Sequence, residues 1–229
     1  LSLVGSEMCI RDSLKDMKRY SIIRLFCVLV TLSWCMISCD GFLKESPHDA
    51  LPEEEGYRNI TELYLNAVAS LYNYIGGNSD SQGLQGTGRG IYDLNTFTTD
   101  EAIMPTRGGD WYDGGFWQGL FLHKWGINND AIQATWEYLY KVVMLSNKSL
   151  EQIESYALTH ADAELPAYRA EVRALRAMYY YYLTDLFGSI PLVLSSKVAS
   201  KDIVLSEREN IFNFIFKELQ ETAPLLRRA

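Results

Sequence analysis

Apolar residues recur at steps of three and four through four separate stretches of this chain, a period that fits helices with one buried face and not strands. Ile60, Leu63, Tyr64, Ala67, Leu71 and Ile75 make the first stripe, and Gly76-Gly77 supplies its stop. Ile132, Trp136, Leu139, Tyr140, Val143, Leu150 and Ile153 make the second, on a helix expected from about 129 to 156. Pro166 suits the first turn of a third helix, which carries Val172, Leu175, Tyr179, Tyr182, Leu183 and Leu186 and ends at Gly188 and Pro191. The fourth presents Ile211, Phe212, Ile215 and Leu219 before Pro224, behind a Ser206-Glu207-Arg208-Glu209 capping box. Helix pairs at this spacing predict an all-α fold, a tetratricopeptide-like helical stack, although no repeat is legible in the residues themselves. One region breaks the pattern. Residues 76–119 hold 11 of the 16 glycines and read as a long Gly-rich loop insert, with short strands or turns near Ile91–Phe97. Long ordered loops on a rigid scaffold commonly carry function.

The front of the chain differs from its body in cysteine and in charge. All four cysteines (Cys9, Cys27, Cys35, Cys39) fall in the first 39 residues, which excludes a disulfide framework or a Cys-ligated metal from the rest. Residues 1–38 carry a charge of +2 (five Lys/Arg against three Asp/Glu), whereas 39–229 carry −10 (16 against 26). A basic start at Met17-Lys18-Arg19, with Arg24, precedes the apolar run Leu25 to Ile37. Thirteen helical residues span about 20 Å, short of a ~30 Å hydrocarbon core but suited to a signal peptide. Ser38-Cys39 then resembles a bacterial lipobox, whose cysteine is acylated and becomes the mature N-terminus. Several acyl chains, each burying methylenes at about 0.8 kcal/mol apiece, hold a protein to a membrane without a spanning helix. The expected organisation is a non-native leader over 1–16, a lipoprotein signal peptide over 17–38, a polar Pro-containing tether over 39–56 and a helical domain over 57–229.

Two ordered stretches carry a family resemblance. The first is Thr99-Asp100-Glu101-Ala102, then Arg107-Gly108-Gly109-Asp110-Trp111-Tyr112-Asp113-Gly114-Gly115, then Trp117 and Trp125. The second runs from Tyr168-Arg169-Ala170-Glu171-Val172-Arg173 through Tyr179–Tyr182 to Asp185-Leu186-Phe187-Gly188 and Pro191-Leu192. Together with Cys39-Asp40-Gly41-Phe42-Leu43 and Pro47, they resemble the SusD/RagB family of Bacteroidetes outer-membrane lipoproteins. The resemblance implies a lipid-anchored protein at the cell surface, on a tetratricopeptide-like framework, with Cys39 as the lipidation site. It implies an oligosaccharide ligand and a SusC-like TonB-dependent transporter as partner, with no catalysis and no cofactor. Family members run longer than this chain, so it reads as an N-terminal portion. The alternative is a structural or peptide-capturing, RagB-like lid subunit of the transporter that does not bind sugar.

Sugar recognition needs flat apolar surfaces for pyranose C–H faces and planar polar groups for hydroxyls. Trp111 and Tyr112 supply the first, and Arg107, Asp110 and Asp113 the second, all within one Gly-rich stretch. The competing reading is that these aromatics pin the loop onto the helices, and it applies more strongly to Trp117 and Trp125. The Tyr179–Tyr182 run points four ways around a helix, so two rings should face the core and two a neighbour or solvent. Arg169, Arg173 and Arg176 with Glu171 read as a solvated or ion-paired helix face.

Other chemistries find little support. A glycosidase could pair Asp100 with Glu101, or Asp110 with Asp113, but no apolar setting for either is apparent. His48, His123 and His160 lack metal-ligand spacing, and no phosphate loop, nucleophile elbow or dinucleotide fingerprint occurs. The overall charge of −8 argues against a nucleic-acid partner.

Overall fold

The computed structural model describes residues 57–77, 83–84 and 90–227. Cys39, the signal peptide, the leader and the tether lie outside the described residues. The described chain is built on helices. The first, α1, runs through three consecutive segments, Ile60–Leu63, a π-helical Tyr64–Ala69 and Ser70–Gly76. Two short helices follow, α2 (Ile91–Phe97) and α3 (Phe116–Phe121), then three long ones, α4 (Asp130–Ala157), α5 (Leu165–Phe187) and α6 (Arg208–Thr222). Among the described residues, no helix is long and apolar enough to cross a membrane.

Local chemistry explains most boundaries. Asn59 caps α1 by accepting from the Glu62 N–H at 3.0 Å, while the Glu62 carboxylate accepts from the Arg58 N–H at 3.0 Å. Asn129 caps α4 by accepting from the N–H groups of Ala131 and Ile132, both at 3.1 Å. Pro166 sits in the first turn of α5, where its missing N–H costs nothing. That helix stops at Gly188, whose φ of +75° only glycine adopts readily. The expected capping box at α6 does not form. Glu207 holds the cap position without a side-chain bond, because Ser206 belongs to a two-residue strand β2 (Leu205–Ser206) paired antiparallel with β1 (Ile190–Pro191).

One core joins α1, α4, α5 and α6. Leu63, Leu71, Leu139, Ile153, Leu183, Ile190 and Ile211 are among its fully buried side chains. Tyr179 and Tyr180 are fully buried too, whereas Tyr181 is exposed and Tyr182 half-buried, the two-and-two split expected of four successive helical residues. Tyr180 staples the chain after α5: its hydroxyl donates to the Val193 carbonyl at 2.7 Å and accepts from the Val193 N–H at 2.8 Å. Burial pushes that phenol up to about 12. Tyr140 adds a bond to the Pro191 carbonyl at 2.7 Å.

One expectation about helix faces needs correction and a second is met on its ion-paired side. On α6, Ile211 and Ile215 are buried but Phe212 is 62% and Leu219 44% exposed, so the covered stripe is narrower than the apolar pattern. On α5, Arg173 and Arg176 are ion-paired, as one of the two expected alternatives had it. Arg176 and Glu218 are both buried, paired at 3.0 Å, and Arg173 meets the same carboxylate at 2.6 Å and Glu221 at 2.5 Å. Arg176 also donates to the Asn147 side-chain oxygen (Oδ1) at 2.8 Å, and the Asn147 side-chain amide donates to the Val193 carbonyl at 2.9 Å. This chain of bonds ties α4, α5 and α6 together.

Candidate functional site

The glycine-rich insert is more structured than a loop. Ile91–Phe97, where short strands or turns were expected, is a helix, because Ile91 and Leu94 bury their side chains and draw the segment into shape. Leu94, Trp117, Leu120 and Ala131 form a second small core, with Phe97, Met104, Phe116 and Ile132 packed against it. The insert thus rests on the first turn of α4. Trp117 is the centre of this core. Its ring meets Phe97 at 5.0 Å and Phe116 at 4.9 Å, both edge-on, and Trp111 at 6.4 Å. Its indole N–H donates to the Asp113 carboxylate at 2.8 Å, one helical turn back.

Before that core the backbone turns twice. Arg107 and Asp110 face each other across a two-residue turn, exchanging backbone bonds of 3.3 and 3.1 Å. Gly108 takes φ +66° at the first central position, which this kind of turn requires. Trp111 then adopts φ +60° and Asp113 φ +43°. A left-handed conformation is rare for a bulky residue and costs on the order of 1–3 kcal/mol, and such strain clusters at binding and catalytic sites. Its consequence here is geometric. Trp111 and Tyr112 are both 55% exposed, and the Trp111 ring lies near the buried Trp117.

The five expected site residues, Arg107, Asp110, Trp111, Tyr112 and Asp113, are therefore all exposed along one short segment. Asp113 has a structural task as well, through Trp117. Trp117 itself is 4% exposed and pins the loop. Trp125 stands apart, 43% exposed, edge-on to His123 at 5.3 Å, while the His123 ring bonds the Thr98 carbonyl at 2.7 Å. The pinning bond to Asp113 follows a legible four-residue spacing; the left-handed turn at Trp111 has no signature in the residues.

Residues 42–226 match the SusD-like family described as "Starch-binding associating with outer membrane". The chain belongs to this family. Among SusD-like relatives, the "Starch-binding protein SusD" of Bacteroides thetaiotaomicron is 27% identical over 216 residues, covering 90% of this chain and 37% of its own length. "SusD-like protein P25" of Formosa agariphila is 24% identical over 199 residues, covering 84% and 36%. A solved laminarin-binding SusD-like protein superposes with a TM-score of 0.59 at 23% identity, over 74% of this chain and 35% of that one. A SusD homologue from Bacteroides thetaiotaomicron gives 0.61 at 21% identity, over 76% and 31%. These superpositions show the SusD-like helical fold. The chain spans about a third of the length of the curated relatives it matches (33–37%). The span matched to the SusD-like family includes both the exposed aromatic pair and the helices beneath it.

Proposed function

We propose that this chain provides part of the glycan-capturing surface of a SusD-like lipoprotein. In this reading Trp111 and Tyr112 stack on pyranose faces and Arg107, Asp110 and Asp113 bond hydroxyls. The observation that carries it is the exposure of Trp111 on a strained backbone near the buried Trp117. A fold that tolerates strain to hold an indole in water has spent stability on presentation. Stacking against a preformed ring also loses little side-chain entropy on binding. The captured oligosaccharide passes to a SusC-like TonB-dependent transporter, and the protein is held at the outer membrane by lipid on Cys39. A glycosidase needs one carboxyl in an apolar pocket to keep its proton. Asp100, Glu101, Asp110 and Asp113 all face solvent, which supports binding without hydrolysis.

Titration calorimetry of the full chain against neutral hexasaccharides (malto-, laminari- and xylo-) tests the site. Trp111→Ala should weaken the best ligand by about tenfold or more, the effect of truncating a central aromatic anchor. Trp111→Gly should lose the same affinity while stability holds or rises, since it removes ring and strain together. Equal affinity of both variants and the parent would remove the ring from the site.

The anchor is tested separately. Cys39→Ala should abolish labelling by palmitate and release the protein from outer-membrane fractions of an expressing cell. Retained label on the variant would mean that Cys39 is not the acylated residue.

A further inference from the structure

The segment after α6 is held down by a cation. Ala223–Leu225 form a 3-10 turn, and every residue from Ala223 to Arg227 is exposed, Leu225 and Leu226 included. Apolar burial therefore does little to fix this strap, and Arg227 supplies the hold. Its guanidinium carbon stands 4.9 Å from the Tyr64 ring centre and 5.1 Å from that of Tyr168, and the two rings are 4.9 Å apart. Arg227 Nε and Nη2 donate to one Glu171 oxygen at 3.1 and 2.9 Å, and Nη1 lies 3.8 Å from the Glu164 carboxylate. The walls belong to firm elements. Glu164, Tyr168 and Glu171 follow one another at steps of four and three on one face of α5, so a carboxylate flanks the ring on each side. Tyr168 is a buried residue of the main core, and Tyr64 opens the π-helical segment of α1, a feature that recurs at functional sites. The second Glu171 oxygen, Oε2, is buried and has no hydrogen-bond partner, so the enclosure holds one acceptor more than Arg227 uses.

We propose that Tyr64, Tyr168, Glu164 and Glu171 form a guanidinium-binding cage, occupied by the chain's own Arg227, and that this cage is the latch of the 223–227 strap. The chemistry selects a guanidinium over an ammonium. A guanidinium is planar and weakly hydrated, so it lies against two rings while its fork of N–H groups addresses carboxylates. An ammonium is a strongly hydrated point charge that meets rings and carboxylates less well together. Because the strap buries little else, it opens locally at a smaller free energy than the helices on which it rests. An open strap leaves both rings and both carboxylates facing solvent, where they meet the arginine side chain of another polypeptide as they meet Arg227. The ligand class of the cage is thus the arginine side chain, bound in the closed state from within the chain. None of its residues belongs to the aromatic loop, so it stands apart from the Trp111 site.

The test follows the full chain by thermal melting and hydrogen exchange. Arg227→Ala should melt about 2–4 °C earlier, the shift that losing one such clasp makes in a chain of this size. Exchange in 223–227 should quicken about tenfold while α5 keeps its protection. Arg227→Lys should recover less than half of either change. N-acetylarginine amide at about 50 mM should return the Arg227→Ala protein about halfway to the parent's melting temperature, because it binds the folded cage and not the unfolded chain. N-acetyllysine amide at the same concentration should not. The double variant E171Q/R227A should lose that rescue, whereas Trp111→Ala in the parent should leave exchange in the strap unchanged. An Arg227→Ala protein that melts and exchanges like the parent would overturn the latch. Lysine at 227 serving as well as arginine, equal rescue by the two amides, or rescue that persists in the double variant would overturn the cage.

Discussion

Glu218→Ala should destabilise the protein by about 3–5 kcal/mol, because it leaves Arg176 charged, buried and without its carboxylate. Both side chains are 7–8% exposed, so water does not replace the lost partner. Arg173 loses three bonds at the same time. The effect has a pH signature. Burial alone would raise the Glu218 carboxyl, but the hydrogen bonds from Arg173 and Arg176 together outweigh it and hold the group below the ordinary value of 4.5. A carboxyl depressed in the folded state contributes stability that is present in full above its unfolded value and lost as pH falls through the folded one. Chemical denaturation followed by circular dichroism should thus show the wild type losing stability below about pH 4.5. Glu218→Gln should lack that component and lie well below the wild type at pH 7. A Glu218→Ala loss under 1 kcal/mol would mean that the pair is offset by its own desolvation.

The pair also shows what the residues did and did not disclose. Arg176 lies four residues after Val172 and three before Tyr179, on the buried stripe of α5, yet its charge made it read as part of a solvated or ion-paired face. What makes its burial tolerable was not readable, because Glu218 arrives from a helix 42 residues later. The same division runs through the fold. Helices α4 and α5 were legible because each is long and strongly patterned, with Asn129 and Pro166 marking where they begin. Helix α2 was not, because seven residues form a stable helix only when tertiary packing supplies the driving force. At α6 the pattern located the helix but not the width of cover, since Phe212 and Phe216 are apolar and yet exposed. At the site, composition placed rings and polar groups together in 107–113. It favoured a pinning role for Trp117, which is buried, and for Trp125, which is exposed; the left-handed backbone turn at Trp111 had no signature in the residues.

Trp117→Ala should produce the second large effect, about 3–5 kcal/mol of lost stability, typical of truncating a buried aromatic. The loss should not be spread evenly. Trp117 belongs to the small core under the insert and not to the core joining α1, α4, α5 and α6. Hydrogen exchange should therefore rise first in α2, α3 and the intervening turn, while α5 keeps its protection. Binding should fall with it, although Trp111 and Tyr112 are both still present, because the ring that supports Trp111 at 6.4 Å is gone. Trp117→Phe separates the two contributions of the indole. It keeps an aromatic ring between Phe97 and Phe116 but deletes the bond to the Asp113 carboxylate, a loss of about 1.5–3 kcal/mol for a hydrogen bond to a charged group. Asp113 and Trp111 are the two non-glycine residues of this turn held at positive φ, so that bond helps to fix the strained backbone beside Trp111. If presentation depends on it, Trp117→Phe should bind oligosaccharide more weakly than the parent while melting only modestly earlier. A Trp117→Ala protein that binds like the wild type at a temperature where both are folded would show that Trp111 needs no support. Capture would then depend on ring exposure alone.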